Sequence, residues 1–288
     1  MEPYVLVVGE SLVDIVVEPD GRDNERPGGS AANVAVALAR LGRRVRFVTS
    51  YADDDRGAAI AAHLGASGVE HAVDPLALAR TSTARATIAQ DGSASYVFDL
   101  DWRFHPVGDL DPVLVHVCSI GAVLQPGADD VVALLERLRA SATISYDVNA
   151  RPAITGTGSD VVAQVERVAA LSHLVKASDE DLEALFPDLS VRDAARHLLA
   201  LGPRAVAVTR GESGSTWFAA GSEVTVPAVL ADVVDTIGAG DTFSAGLLDA
   251  LWDDLDVAPE LALAHAAAAA AVTVSRRGAD PPYRHELG

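Results

Sequence analysis

Lysine, cysteine and methionine each occur once in 288 residues, and aromatic side chains make up only 5%. The lone Cys118 excludes a disulfide framework, and its place inside the apolar run VLVHVCSIGAVL reads as a buried, inert thiol. With few aromatic rings, Ala, Val and Leu must carry the core. At 49% hydrophobic content the chain is long enough for one large α/β domain, or for a domain with a small appendage. No uncharged apolar run reaches the roughly 18 residues of a membrane span. ALAHAAAAAAVTV is too short and too rich in alanine. The N-terminus has no basic stretch followed by a signal-like apolar run, so the expected location is the cytoplasm.

Positive charge is equally scarce. Lys and Arg total 22 against 41 Asp and Glu, a formal net charge of −19. Such a surface repels phosphate backbones and anionic lipid, which excludes nucleic acid and membranes as main partners. Because Lys176 is the only lysine, an anionic substrate must meet arginines, helix N-termini, backbone amides or a metal.

What the chain does have is alternation. YVLVVGE, RVRFVTSYA, VLVHVCSI, ATISYDVN, HLVKAS and AVAVTRG read as strands. Between and after them GGSAANVAVALARLG, RGAAIAAHLGASG, the segment Val131 to Leu138, VVAQVERVAAL, DEDLEAL and VRDAARHLLAL read as helices. Two more helices close the chain, from about Ala239 and about Pro259. This order predicts an α/β fold: a doubly wound, mostly parallel sheet with helices on both faces. TARATIAQ and SASYVFDL, joined at Asp91–Gly92, predict a hairpin near 83–98 outside that sheet. GSTWFAA and SEVTVPA read as a second hairpin. With no linker and no repeat, residues 1–288 are expected to form a single domain.

The stretch DTIGAGDTFSAGLL, from Asp235 to Leu248, is the least ordinary. Phe243, Leu247, Leu248, Leu251 and Leu255 recur at helical spacing, so a helix starts near Ala239 or Gly240. The residues Gly238, Ala239 and Gly240 then lie where backbone N–H groups lack intrahelical partners and the helix dipole is positive. That is an anion site, left open by the lack of side chains. Asp241, in the first turn, is placed to take a proton from a substrate hydroxyl; the plainer alternative is a helix-start acid beside a tight turn. Asp235, expected at a strand end, serves either a cation or the loop backbone. G-x-x-x-x-G-K-[ST] is absent, and GESLVD after the first strand is no dinucleotide fingerprint.

Asp-Thr-x-Gly-Ala-Gly-Asp resembles the C-terminal signature of the ribokinase (PfkB) family of carbohydrate kinases. GGSAANVAVALARLG is similar to the family's N-terminal Gly-Gly signature, SYADDDRG to its Gly-x-Asp-x-x-Gly segment, and VTRGESGS to its Thr-x-Gly segment. The resemblance spans nearly the whole chain. Within the family, GESLVDIV, DVNARPAI and VSRRGADPP look most like bacterial fructokinases.

That resemblance implies a ribokinase-like fold with a small β lid, built by the hairpin near 83–98 and by residues near 12–18. It implies a sugar and ATP as substrates, Mg2+ as cofactor, K+ as a second candidate ion, and a homodimer through the lids. Asp241 would be the base, with Gly238, Ala239 and Gly240 as the anion hole. Asp14, Gly28, Gly29 and Asn33 would hold the sugar. Thr209, Gly211, Gly214, Gly240 and His265 would lie along the nucleotide. Asp235 and the carbonyl of Ile237 would bind a monovalent cation.

Two places depart from the pattern. The family's Asn-x-x-Glu is replaced by Ser178-Asp179-Glu180-Asp181, which leaves Asp181 as the candidate for magnesium through water. Pro281 and Pro282 supply no hydroxyl where the family wraps the cation. Fructose is the expected sugar. 2-Keto-3-deoxygluconate kinases share the pattern Asp147, Asn149 and Arg151, and an acid sugar would need Arg85, Arg103 or Arg151 for its carboxylate. Trp102 and Arg103 read either as lid surface or as groups that close over the sugar. A non-catalytic sugar-binding protein on the same fold is the other class of reading.

Overall fold

The computed structural model describes residues 2–17, 22–88 and 94–287. Its larger sheet centres on β1 (Val5–Val8). On one side lie β4 (Val45–Val48) and β5 (Glu70–His71). On the other, in order, lie β8 (Leu114–Cys118), β9 (Thr143–Asp147), β10 (Leu174–Ser178), β11 (Ala205–Thr209), β12 (Ser215–Ala219) and β13 (Ser222–Val226). From β5 to β11 every pairing is parallel. β12 and β13, the hairpin read from GSTWFAA and SEVTVPA, extend the edge antiparallel.

Strand residues alternate between two cores, as the pleat requires. Val5, Val7 and Phe47 face α1 (Ser30–Arg40), α2 (Asp55–Ala66), α8 (Ala239–Ala250) and α9 (Pro259–Val274). Leu6, Val8 and Val48 face α3 (Gly127–Leu138), α5 (Ser159–Leu171), α6 (Asp179–Leu185) and α7 (Val191–Ala200); a short α4 (Pro152–Thr155) follows β9. Each large apolar side chain buried this way stabilises the fold by about 1.5–3 kcal/mol. Small residues do the rest. A Cβ on Gly246 of α8 would come within 2.9 Å of the Ala266 Cα of α9, so the alanine run is a surface for close helix packing. No described helix is long and apolar enough to cross a membrane.

A second sheet stands apart, in the order β3 (Asp23–Gly28), β2 (Leu12–Val17), β6 (Thr83–Ile88), β7 (Ala94–Asp99). β6 and β7 pair antiparallel from Thr83↔Asp99 to Ile88↔Ala94, as the hairpin pattern requires. Their Asp91–Gly92 turn lies outside the described residues. β2 joins β6 in parallel, so the segment near 12–18 does belong to this sheet. Sequence reasoning missed β3: DNERPG has no apolar alternation, and its edge position, paired only with β2, tolerates Pro27. If this sheet closes over a sugar, amide exchange in 83–88 and 94–99 is expected to slow on sugar addition. Exchange unchanged by saturating sugar would count against closure.

The chain leaves β1 toward β4 on one side, while β8 lies on the other. The strand order therefore reverses between β1 and β8, and the crevice beyond their carboxyl ends is where such sheets bind ligands. Two local readings need correction. Asp235 is not at a strand end: residues 227–238 are irregular. Trp102 is neither lid surface nor a cover for the sugar. It is buried, and its Nε1 donates to the Gly121 carbonyl at 2.9 Å.

Candidate active site

Two helices begin at the crevice. α1 starts at Ser30, α8 starts at Ala239, and the two pack together. Their first turns bring distant residues onto one carboxylate. Ser30 Oγ donates to Asp241 Oδ1 at 2.7 Å, and Asn33 Nδ2 donates to Oδ2 at 2.8 Å. From the loop after β9, Asn149 Nδ2 donates to Ser30 Oγ at 2.8 Å and to Asp241 Oδ1 at 3.3 Å. Asp241 is thus buried and aimed by neutral donors, and no cation pairs with it at hydrogen-bond distance among the described residues. Asn33 does not face solvent. Ser30 was not anticipated, although it is the residue directly after the Gly28–Gly29 pair.

The α8 N-terminus is bare. Gly238 caps it at φ 77°, a left-handed conformation, and a Cβ there would also strike the Ala279 Cβ at 2.6 Å. The first-turn N–H groups of Gly240 and Asp241 have no carbonyl behind them within the helix. Ala239 differs, because its N–H donates to the Thr236 carbonyl at 3.2 Å. Asp235 fixes this loop: Oδ1 accepts from the Ile237 N–H at 3.0 Å and Oδ2 from the Gly278 N–H at 2.8 Å. Those bonds hold its carboxyl below the usual range. Of the two roles open to Asp235, the loop backbone is the one observed. Asp235→Ala is expected to lower kcat by about tenfold, the worth of one hydrogen bond in the barrier. A larger loss than that of Asp241→Asn would reverse the two roles.

Two further acids lie near Asp241. Asp14 on β2 lies against Gly28, where any Cβ would collide with its Oδ2. Burial pushes Asp14 up to about 6; Arg151 pulls it down and Asp241 adds to the rise. Glu10, one residue past the turn after β1, was missed by sequence reasoning. Its Oε1 accepts from the Ser30 N–H at 2.9 Å and its Oε2 from the Gly121 N–H at 3.0 Å, which joins the two sides of the switch point. Burial pushes it up to about 7, with Asp241 adding to the rise. If ionised Asp14 accepts sugar hydroxyls, the sugar KM is expected to rise as pH falls below about 6, because protonation removes that acceptor. A flat KM between pH 5 and pH 8 would exclude this role for Asp14.

Other assignments fare differently. The turn that holds Gly211 (φ 47°) and Gly214 (φ 87°) follows β11 at the same sheet edge, with Thr209 at the strand's last position. Asp181 is tied up. Its Oδ1 accepts from the Ala150 N–H and its Oδ2 from the Ser178 N–H, both at 2.8 Å, while Ser178 Oγ accepts from the Asp181 N–H. Ser178–Asp181 is therefore a capping box, legible as S-x-x-D. His265 is not brought to this cluster. Its Nε2 bonds Asp249, an anchor for Arg43 and Arg284, and Asp249 lies about 12 Å along α8 from Asp241. Among the described residues, no three His, Cys, Asp or Glu are grouped to hold a metal.

A switch-point crevice, a bare helix N-terminus and a neutral-donor carboxylate in its first turn define an α/β enzyme built to handle phosphate beside a hydroxyl. The chain belongs to the pfkB family of carbohydrate kinases, whose pattern matches residues 2–284. It is 36% identical over 264 residues to a fructokinase of Rhizobium leguminosarum bv. trifolii, covering 87% of this chain and 80% of that one. A fructokinase of Xylella fastidiosa with bound ATP superposes with a TM-score of 0.85 at 26% identity, covering 100% and 98% of the two chains. The aminoimidazole riboside kinase of Salmonella enterica, solved with aminoimidazole riboside and an ATP analog, gives 0.83 at 28%, covering 99% and 98%.

Proposed function

We propose that this carbohydrate kinase transfers the γ-phosphate of ATP to a primary hydroxyl of fructose. Asp241 accepts the hydroxyl proton. The oxygen attacks the γ-phosphorus, a new P–O bond forms, and the bond to the β–γ bridging oxygen breaks with its electron pair staying on ADP. The Gly238–Gly240 turn stabilises charge on the transferring group through backbone N–H donors. Magnesium would enter as part of the nucleotide substrate, whose charge it partly offsets. Asp14, Gly28, Gly29 and Asn33 surround the sugar; Thr209, Gly211 and Gly214 line the nucleotide.

One observation carries the choice of a neutral sugar: Asp14 and Glu10 lie near enough to Asp241 for the three carboxyl groups to act on one another. A substrate carboxylate would meet like charge there. Of the arginines that could oppose it, Arg85 and Arg103 are paired with acids. Arg85 bonds both oxygens of Asp23, Arg103 bonds Asp101, and Arg151 bonds the Asn149 and Ala150 carbonyls and acts on Asp14. A primary CH₂OH reaches the α8 N-terminus with least steric cost. The rival is a riboside, favoured by the likeness to aminoimidazole riboside kinase. ADP release with fructose, ribose, glucose, adenosine, aminoimidazole riboside and 2-keto-3-deoxygluconate tests this. Fructose is expected to have the highest kcat/KM. A higher value for a riboside or for the acid sugar overturns the choice, and no turnover with any of them favours a binding protein.

A further inference from the structure

The chain's only lysine is hidden beneath the anion hole. Lys176 on β10 is 4% exposed, and a Cβ on Gly240 would come within 3.2 Å of its Nζ. The ammonium therefore lies against the backbone of the first turn of α8, on the sheet side. Asp147, at the end of β9, holds it there. Asp147 Oδ2 accepts from Lys176 Nζ at 3.0 Å and from Ser244 Oγ, one turn further along α8, at 2.8 Å. Asp147 Oδ1 is buried and has no hydrogen-bond partner among the described residues. Burial alone would lower Lys176, but Asp147, then Asp181 and Asp241, outweigh it and hold the amine charged.

This pair is a poor device for stability. Buried ion pairs cost desolvation and are often matched by apolar pairs of similar size. Their position suggests another use. A substrate phosphoryl group at Gly238–Gly240 would approach from the crevice, and the ammonium would stand behind the same backbone, shielded from water. A charge in that low-dielectric setting acts strongly on the transferring group without touching it. Gly240 is the residue that lets it stand so close, since any side chain would press on Nζ.

We propose that Lys176 is a positioning residue of the kinase: a buried cation, oriented by Asp147 and Ser244, that charges the anion hole from behind and favours the transferring phosphoryl group over the bound ground state. The inference rests on the kinase reading above. Its prediction is a loss confined to kcat, because the buried ammonium lies behind the Gly240 backbone and would touch neither substrate.

Lys176→Met alone would leave Asp147 buried and uncompensated, so the test uses the matched pair Lys176→Met with Asp147→Asn, checked for folding by thermal melting. Its kcat is expected to fall about 10- to 100-fold, below the loss of a direct oxyanion donor. KM for sugar and for ATP should stay within about threefold, the pattern of an interaction made in the transition state. Binding of ADP with sugar and fluoroaluminate, a mimic of the transferring group, should weaken by a similar factor while ADP alone binds as before. A folded pair with kcat within about twofold of the wild type, or one whose loss falls on KM, overturns the role of Lys176. A wild-type protein that turns over no sugar overturns the kinase reading itself, and the inference with it.

Discussion

Asp241→Asn is expected to lower kcat by about 10²–10⁴, the range for losing a general base. The fold should survive the change. The amide can turn its NH₂ toward Ser30 Oγ, which accepts as readily as it donates, and keep its carbonyl for Asn33, the present donor to Oδ2. What disappears is the acceptor for the proton leaving the sugar hydroxyl. The groups that aim Asp241, Ser30, Asn33 and Asn149, are neutral donors that cannot replace it as a base. Steady-state rates with saturating fructose and ATP, and ATP binding by calorimetry, check the two halves. Unchanged ATP affinity with collapsed kcat is the expected pair of results; a variant that keeps most of its kcat removes Asp241 from the chemistry.

Excess chelator is expected to reduce turnover to that of a protein-free blank. The reason is a shortage of charge. The chain carries −19, and its one ammonium is paired with Asp147. The four negative charges of the triphosphate exceed what that one buried ammonium can offset, and no described group of three His, Cys, Asp or Glu holds a metal for itself. Activity should return on adding Mg2+ and should follow the concentration of the magnesium–nucleotide complex rather than that of the protein. Full activity in excess chelator would contradict the account.

Periodicity made the large sheet legible. Apolar runs such as VLVHVC and AVAVT can be buried on both faces only inside a covered parallel sheet, and the structure places them there. The hairpin strands 83–88 and 94–99 were legible from alternation, whereas β3 was not, because an edge strand with one neighbour needs little apolar pattern. At the crevice, Asp241 and the glycines of its turn stood out as unusual local sequence. Glu10, Ser30 and Lys176 did not. Their importance comes from contacts spanning 20 to 211 positions, which no local pattern records. Asp181 and His265 show what local sequence leaves out. Each has a side chain fit for a site, yet a capping box and a cluster with Asp249 already use them.

The most direct measurement of the central claim is transfer of label from [γ-³²P]ATP. With fructose, the label should appear in a sugar monophosphate esterified at a primary carbon, in step with ADP release, and Asp241→Asn should slow both by about 10²–10⁴. Label that appears in inorganic phosphate while fructose stays unmodified, or equal transfer by the variant, would contradict the claim that this crevice phosphorylates a sugar through Asp241.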